Sequence, residues 1–311
     1  MSALYRLSEE LSSRQLPGTH GWSESGSQLA TEPTAWALMA SRSSSWPASG
    51  VREGLDALLS MRQPDGLWSA FADSMGRSLW ATPLALNALM SLPAQAPAVA
   101  ASLDALVQCY PLEASWLVRL KLRYSDRQVR FDPTKYGWGW VPGTVSWVVP
   151  TSMALITLAR ARNRGLIAAR ALDTRLRLGA EMLIDRACPG GGWNAGNPVV
   201  YGVSLGPHVD ATAIALAALR TRYQHPTVRA SLDWLLKQTA CRSPYSLAWL
   251  AIALDLYRNV RTDLAPTICA AQEHLAGCMG DPEDDHDTST IALAALALGL
   301  KTGNNPFEVR A

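Results

Sequence analysis

The chain has 311 residues, 48% of them hydrophobic and 17% charged, which is enough apolar material for one large repeat domain. Lysine and arginine total 28 against 26 for aspartate and glutamate, a net charge of +2 that does not point to nucleic acid or an anionic membrane as the main partner. The five cysteines (Cys109, Cys188, Cys241, Cys269, Cys278) are odd in number and lack CxxC spacing, as expected for reduced thiols of a cytoplasmic protein.

The N-terminal MSALYRLSEELSSRQ reads as a lead-in helix over residues 1–20 and lacks the apolar core of a signal segment. No run approaches ~18 uninterrupted apolar residues, so a spanning helix is not expected, and peripheral membrane association stays open. From there a unit recurs. A turn carrying glycine and tryptophan leads to a helix start of Pro, Thr, Ser or Asp, and then to an apolar run. The first turn is His20-Gly21-Trp22, followed by Ala30-Thr31-Glu32-Pro33-Thr34-Ala35 before WALMA. Val51 to Arg62 carries more charge and reads as an outer, amphipathic helix. Gln63-Pro64-Asp65-Gly66-Leu67-Trp68 is the second turn, and Leu79-Trp80-Ala81-Thr82-Pro83 precedes LALNAL. Tyr136-Gly137-Trp138-Gly139-Trp140 is the third, and Trp147-Val148-Val149-Pro150-Thr151-Ser152 precedes MALITL.

Arg175 to Arg186 is again amphipathic, and Cys188-Pro189-Gly190-Gly191-Gly192-Trp193-Asn194 forms the fourth turn. Pro207-His208-Val209-Asp210-Ala211-Thr212-Ala213 then leads into IALAAL. After an amphipathic Thr227 to Gln238, Ser243-Pro244-Tyr245-Ser246 leads into LAWLAIAL. Asp284-Asp285-His286-Asp287-Thr288-Ser289-Thr290 leads into a second IALAAL. First-turn Pro, Ser, Thr and Asp suit the orphan N–H groups of a helix start. Buried helices alternating with amphipathic ones predict an all-α fold of two concentric layers, a single (α/α)6 toroid over residues 21–300, with 301–311 as a tail.

The hexapeptide from Gln63 to Trp68 resembles the QW repeat (Q-x-x-D-G-x-W) of squalene–hopene and oxidosqualene cyclases, one residue shorter between Gln and Asp. The turn-then-helix unit is also similar to the repeat of protein prenyltransferase β subunits, over about Gly21 to Leu300. The resemblance implies an α/α barrel with an apolar cavity for a polyisoprenoid. It also implies an isomerase- or lyase-type activity without a cofactor. Cyclases of the family usually set their cavity between two helical domains, and this chain has length for one, so a homodimer or partner subunit would be what closes it. Class II cyclases of this superfamily protonate an alkene or epoxide from the central Asp of D-x-D-D-T-A at an inner helix start. Set on that motif, His208-Val209-Asp210-Ala211-Thr212-Ala213 puts Asp210 at the proton donor, with His208 and Ala211 replacing the flanking acids.

Such an acid must be neutral in a dry pocket, and its anion must be stabilised after the proton leaves. His208 stands close enough in sequence to hydrogen-bond it. A cation formed in the cavity needs aromatic faces, for which Trp36, Trp80, Trp147 and Trp249 at inner helix starts, and Trp138 and Trp140 in the third turn, are candidates. Asp210 equally fits a plain helix cap, and the tryptophans equally fit core packing. The cluster Asp284, Asp285, His286 and Asp287 reads as a variant acid site, a carboxylate–imidazole metal site or a solvated cap of the last inner helix. No Asp-x-Cys zinc pair of the prenyltransferase kind and no D-D-x-x-D magnesium motif occurs, so no metal is expected. Two further readings are a prenyl diphosphate-binding protein of the prenyltransferase kind and a non-catalytic lipid-binding or scaffolding toroid. A glycan-active toroid would need two facing carboxylates ~5–9 Å apart, and Glu32 and Asp210 at inner helix starts keep that reading in view. Among the repeated helix starts, three acids stand out: Glu32, Asp210 and Asp287.

Overall fold

Six segments are apolar nearly all round, and such segments are stable as helices only when other chain covers every side. The computed structural model, which describes residues 2–43, 46, 48–92, 96–125, 131–167, 170–280, 285–300 and 305–309, places these six segments at its centre. Numbered along the chain, the inner helices are α2 (Thr31–Ala40), α4 (Ala81–Ser91), α7 (Val148–Asn163), α9 (Val209–Ala218), α11 (Pro244–Tyr257) and α13 (Thr288–Leu298). The outer helices are α1 (Ala3–Ser13), α3 (Ala48–Ser60), α5 (Ala96–Gln108), α8 (Leu172–Asp185), α10 (Pro226–Leu235) and α12 (Ala265–Cys278). Each inner helix packs on the next, and α13 packs back on α2, so the inner ring is closed. Helices α3, α5, α8, α10 and α12 lie against α2, α4, α7, α9 and α11 respectively. Helix α1 takes the outer position against α13. The result is an (α/α)6 toroid.

Burial follows the sequence pattern. In α11 every residue from Leu247 to Tyr257 is buried, and in α13 every residue from Thr288 to Ala297. In outer α10 only Val228, Ser231, Leu232 and Leu235 are buried, at the i, i+3, i+4, i+7 spacing of one helical stripe. A further helix, α6 (Trp116–Ser125), leaves the ring between α5 and α7 and exposes Trp116, Leu117 and Leu120. A two-residue antiparallel pair, Val199–Val200 with Val203–Ser204, lies in the connection between α8 and α9. Among the described residues no helix is long and apolar enough to cross a membrane.

The glycine–tryptophan turns have one construction, repeated four times. The backbone N–H of Trp22, Trp68, Trp138 and Trp193 donates to the hydroxyl of Thr34, Thr82, Thr151 and Thr212, each at 2.9 Å. The indole N–H of the same tryptophans donates to the carbonyls of Leu11, Leu58, Leu106 and Leu183 at or near the ends of the outer helices. One residue thus ties the end of an outer helix to the start of the next inner one. These four tryptophans are fully buried. Removing either partner would leave a buried donor or acceptor unpaired, at a cost of about 1–3 kcal/mol. Glycine is required where the turn has no room. Gly191 has φ +104°, and a Cβ there would meet the Ala230 carbonyl oxygen at 2.8 Å.

The described C-terminal residues pack against α11 and α2. Asn305 Nδ2 donates to the Ile252 carbonyl and to Asp255 on the second half of α11. This anchors Phe307, fully buried, with its ring 5.3 Å from Trp249 and 5.9 Å from Trp36. Between α4 and α7 a buried polar network joins Asn87 Nδ2 to Thr157 Oγ1 at 2.7 Å, and Arg160 donates to Asn87 Oδ1 and Ser91. Burial pushes the Arg160 guanidinium down to about 9.

Candidate active site

The inner helix N-termini converge at one mouth of the toroid, and their partial positive ends favour carboxylates there. Glu32 lies in the first turn of α2. Its two carboxylate oxygens are each held by an indole: Trp36 Nε1 donates to Oε1 at 3.3 Å and Trp80 Nε1 to Oε2 at 2.7 Å. Trp36 is one helical turn further along α2, and Trp80 is the N-cap residue of the neighbouring α4. Burial raises the Glu32 carboxyl from 4.5 to about 7, the two indole N–H groups oppose that shift, and the charges of Glu24 and Asp287 add to it. Glu32 is therefore an acid that is largely protonated below neutral pH, and its anion already has two fixed hydrogen-bond donors.

Its surroundings are aromatic. Trp36 and Trp249 meet edge-to-face at 5.6 Å, Phe307 packs 5.9 Å from Trp36, and Trp80 lies 6.0 Å from Trp140. Tyr245, in the first turn of α11, has its phenol pushed well up by burial, with the charges of Glu32, Asp210 and Glu24 adding to the shift and the Trp249 indole opposing it. That phenol lies within electrostatic reach of carboxylates on α2 and α9. In ring order α2 and α9 stand opposite one another, so Glu32 and Asp210 occupy facing sides of the mouth.

Asp210 is not the cap of α9. His208 is the N-cap residue, its side chain makes no capping bond, and Asp210 follows two positions later in the first turn. His208 is exposed, and no hydrogen bond joins it to Asp210 among the described residues. The matching residue of α13, Asp287, does cap its helix, accepting from the Thr290 N–H at 2.6 Å. Helix α13 consequently begins two residues later in the shared pattern than α9.

Of the acidic cluster, Asp284 lies outside the described residues. Asp285 is exposed and 3.8 Å from Arg14, and the His286 carbonyl accepts from Arg14 at the end of α1. The segment is thus drawn towards an outer helix, and no group of three or more His, Cys, Asp or Glu side chains is arranged to hold a metal among the described residues. Glu24, from the loop after Trp22, accepts from Ser289 Oγ and from the Ser289 N–H, tying the first repeat to the last inner helix.

The tryptophans divide by role. Trp36 and Trp249 are fully buried and pack against Phe307, whereas Trp80 is 9% exposed at the start of α4 and Trp140 lies tilted against it at 39% exposure. Trp138 does not face the cavity. It is one of the four buried turn tryptophans, its indole bonded to Leu106 and covered by the Arg175 guanidinium at 3.9 Å. Trp147 is the N-cap residue of α7 and borders a separate side cavity. Sequence reasoning left Glu24 and Phe307 out of the site altogether. The signal for Glu32 was present: it stands two residues before Thr34, as Asp210 stands before Thr212.

No protein-family model matches the chain, and comparison with curated proteins finds no relative. Among solved structures the chain is similar to the type II terpene cyclase MstE from Scytonema (15% identity, 96% of each chain covered, TM-score 0.59). It is also similar to ent-copalyl diphosphate synthase from Streptomyces platensis (19% identity, TM-score 0.53), covering 86% of this chain and half of that one. An alpha-amylase from Clostridium perfringens has the same architecture (11% identity, 94% and 96% covered, TM-score 0.58). The fold is that of the terpenoid cyclase-like toroids, which glycan-active enzymes share.

Proposed function

We propose that the toroid is an acid catalyst of the class II terpenoid-cyclase type, in which Glu32 donates the proton that starts cyclisation of an isoprenoid bound at the mouth. The observation that carries this reading is the Glu32 carboxyl, raised to about 7 and held between two indole N–H groups. Burial keeps the acid protonated until substrate arrives, and the Trp36 and Trp80 donors receive the anion once the proton has gone. Trp80 and Trp140, the accessible aromatics beside Glu32, supply π faces for a carbocation, each worth ~0.5–2 kcal/mol. A donor near pH 7 transfers its proton to an oxygen base far more easily than to an alkene carbon. The substrate class that fits is accordingly an isoprenoid ending in an epoxide. Asp210, on the facing helix, is the second acid of the site: as a carboxylate it attracts positive charge developing along the chain.

One observation favours a second reading. A raised carboxyl facing a second carboxylate across a mouth is also the acid–base pair of a glycoside hydrolase. The two are separated by incubating the purified protein with an epoxide-terminated polyprene and, in parallel, with malto- and xylo-oligosaccharides. Cyclic alcohol from the epoxide, lost in Glu32→Gln and reduced in Asp210→Asn, is the expected result. Reducing ends released from the oligosaccharides, with the epoxide untouched, would replace the cyclase reading by the hydrolase one. Unimpaired cyclisation by Glu32→Gln would remove Glu32 as the donor and return the role to Asp210.

A further inference from the structure

Away from the mouth, a cavity of about 180 Å³ lies where α6, the turn before α7 and the loop after Trp193 meet. Its walls are apolar, from Leu122, Phe131, Val145 and Trp147. Its floor holds a fully buried ion pair, Glu113 with Arg186 at 3.4 Å. The pair is locked in place: Ser146 N–H donates to Glu113 Oε1 at 2.9 Å, Arg186 Nη1 donates to the Ser146 carbonyl at 2.6 Å, and Phe131 covers the guanidinium at 4.5 Å.

The lock is incomplete in one respect. Glu113 Oε2, Arg186 Nε and Asn197 Oδ1 are buried and have no hydrogen-bond partner, and all three residues line the same cavity. Buried polar atoms are almost always paired, because an unpaired one costs about 1–3 kcal/mol. Three such atoms around one cavity, two of them acceptors and one a donor, describe what is missing. The internal neutrality of the ion pair disfavours a charged guest.

We propose that this cavity binds a small uncharged molecule with a hydroxyl head on an apolar body. The hydroxyl donates to Glu113 Oε2 or Asn197 Oδ1 and accepts from Arg186 Nε, and the body fills the space between Leu122, Phe131, Val145 and Trp147. A hydroxyl is the smallest group that donates and accepts at once. The site is independent of Glu32, and its test does not require turnover.

The test titrates the intact protein with benzyl alcohol and with toluene, following the indole N–H signals by NMR. Benzyl alcohol should bind saturably and shift the Trp147 signal. Toluene, which has the same body without the head, should bind about ten-fold or more weakly, the difference expected of one hydrogen bond to a buried charged group. Leu122→Trp, which fills the cavity from its half-exposed side, should abolish binding and leave the remaining indole signals in place; Val145→Trp serves the same purpose if Leu122→Trp does not fold. Equal affinity for the two compounds would overturn the proposal, since the floor would then contribute nothing. So would failure of benzyl alcohol to bind saturably, because the cavity would then hold at most water between Glu113 Oε2 and Arg186 Nε.

Discussion

Replacing Glu32 with glutamine should make the protein more stable at high pH and slightly less stable at low pH. The folded-state carboxyl is raised from 4.5 to about 7, so between these values the native protein holds a proton that the unfolded chain has lost. Native stability therefore falls as pH rises from about 4.5 to 7 and levels off above. The full shift corresponds to roughly 3 kcal/mol at ~1.4 kcal/mol per pKa unit. Glutamine removes this term. It also offers one carbonyl where the carboxylate offered two acceptors, so one of the Trp36 and Trp80 indoles loses its partner, at about 1 kcal/mol. The net effect is about 2 kcal/mol in favour of the variant above pH 8 and about 1 kcal/mol against it near pH 4.5. Taking ~2 cal/mol/K per residue for the entropy of unfolding, a chain of this length turns 2 kcal/mol into about 3 °C. Thermal melts of both proteins across pH 4.5–8.5 measure the difference, and the Tm curves should cross between pH 5 and 7. A difference that stays constant with pH would refute the assignment of a near-neutral acid to Glu32, and with it the proposed proton donor.

Two further outcomes test the architecture. Thr212→Val should destabilise by about 1–3 kcal/mol in urea unfolding because the buried Trp193 N–H loses its acceptor, and Thr212→Ser should recover most of the loss. Phe307→Ala should cost about 3–5 kcal/mol by leaving a cavity beside Trp36 and Trp249; a loss below about 1 kcal/mol would mean that the C-terminal segment does not pack there in solution.

The architecture was legible because the chain states it several times. Apolar runs without a polar face demand enclosure, and six of them alternating with amphipathic helices leave little besides a closed double ring. The Trp–Thr link was half visible: both residues recur in the sequence, but the hydrogen bond between them crosses 12 to 19 positions that vary between copies. The family motif directed attention to Asp210, because a motif compares residues along one helix start. What raises Glu32 comes from another helix: Trp80 is 48 residues away, and Glu24 and Asp287 approach from both ends of the chain only when the ring closes.

Trp138 shows the reverse. Its place in a dense aromatic stretch suggested a cavity wall, whereas the turn geometry commits its indole to Leu106 and buries it between layers. Phe307 and the Glu113–Arg186 pair carry no local signal at all. The sequence alone determined helix, layering and repeat, because periodicity and burial are properties of neighbours in the chain. Which acid is desolvated and paired, which tryptophan packs at the inner helix starts and where polar atoms go unpaired were decided by tertiary structure, because desolvation and hydrogen bonding depend on what closes over a residue from the rest of the ring.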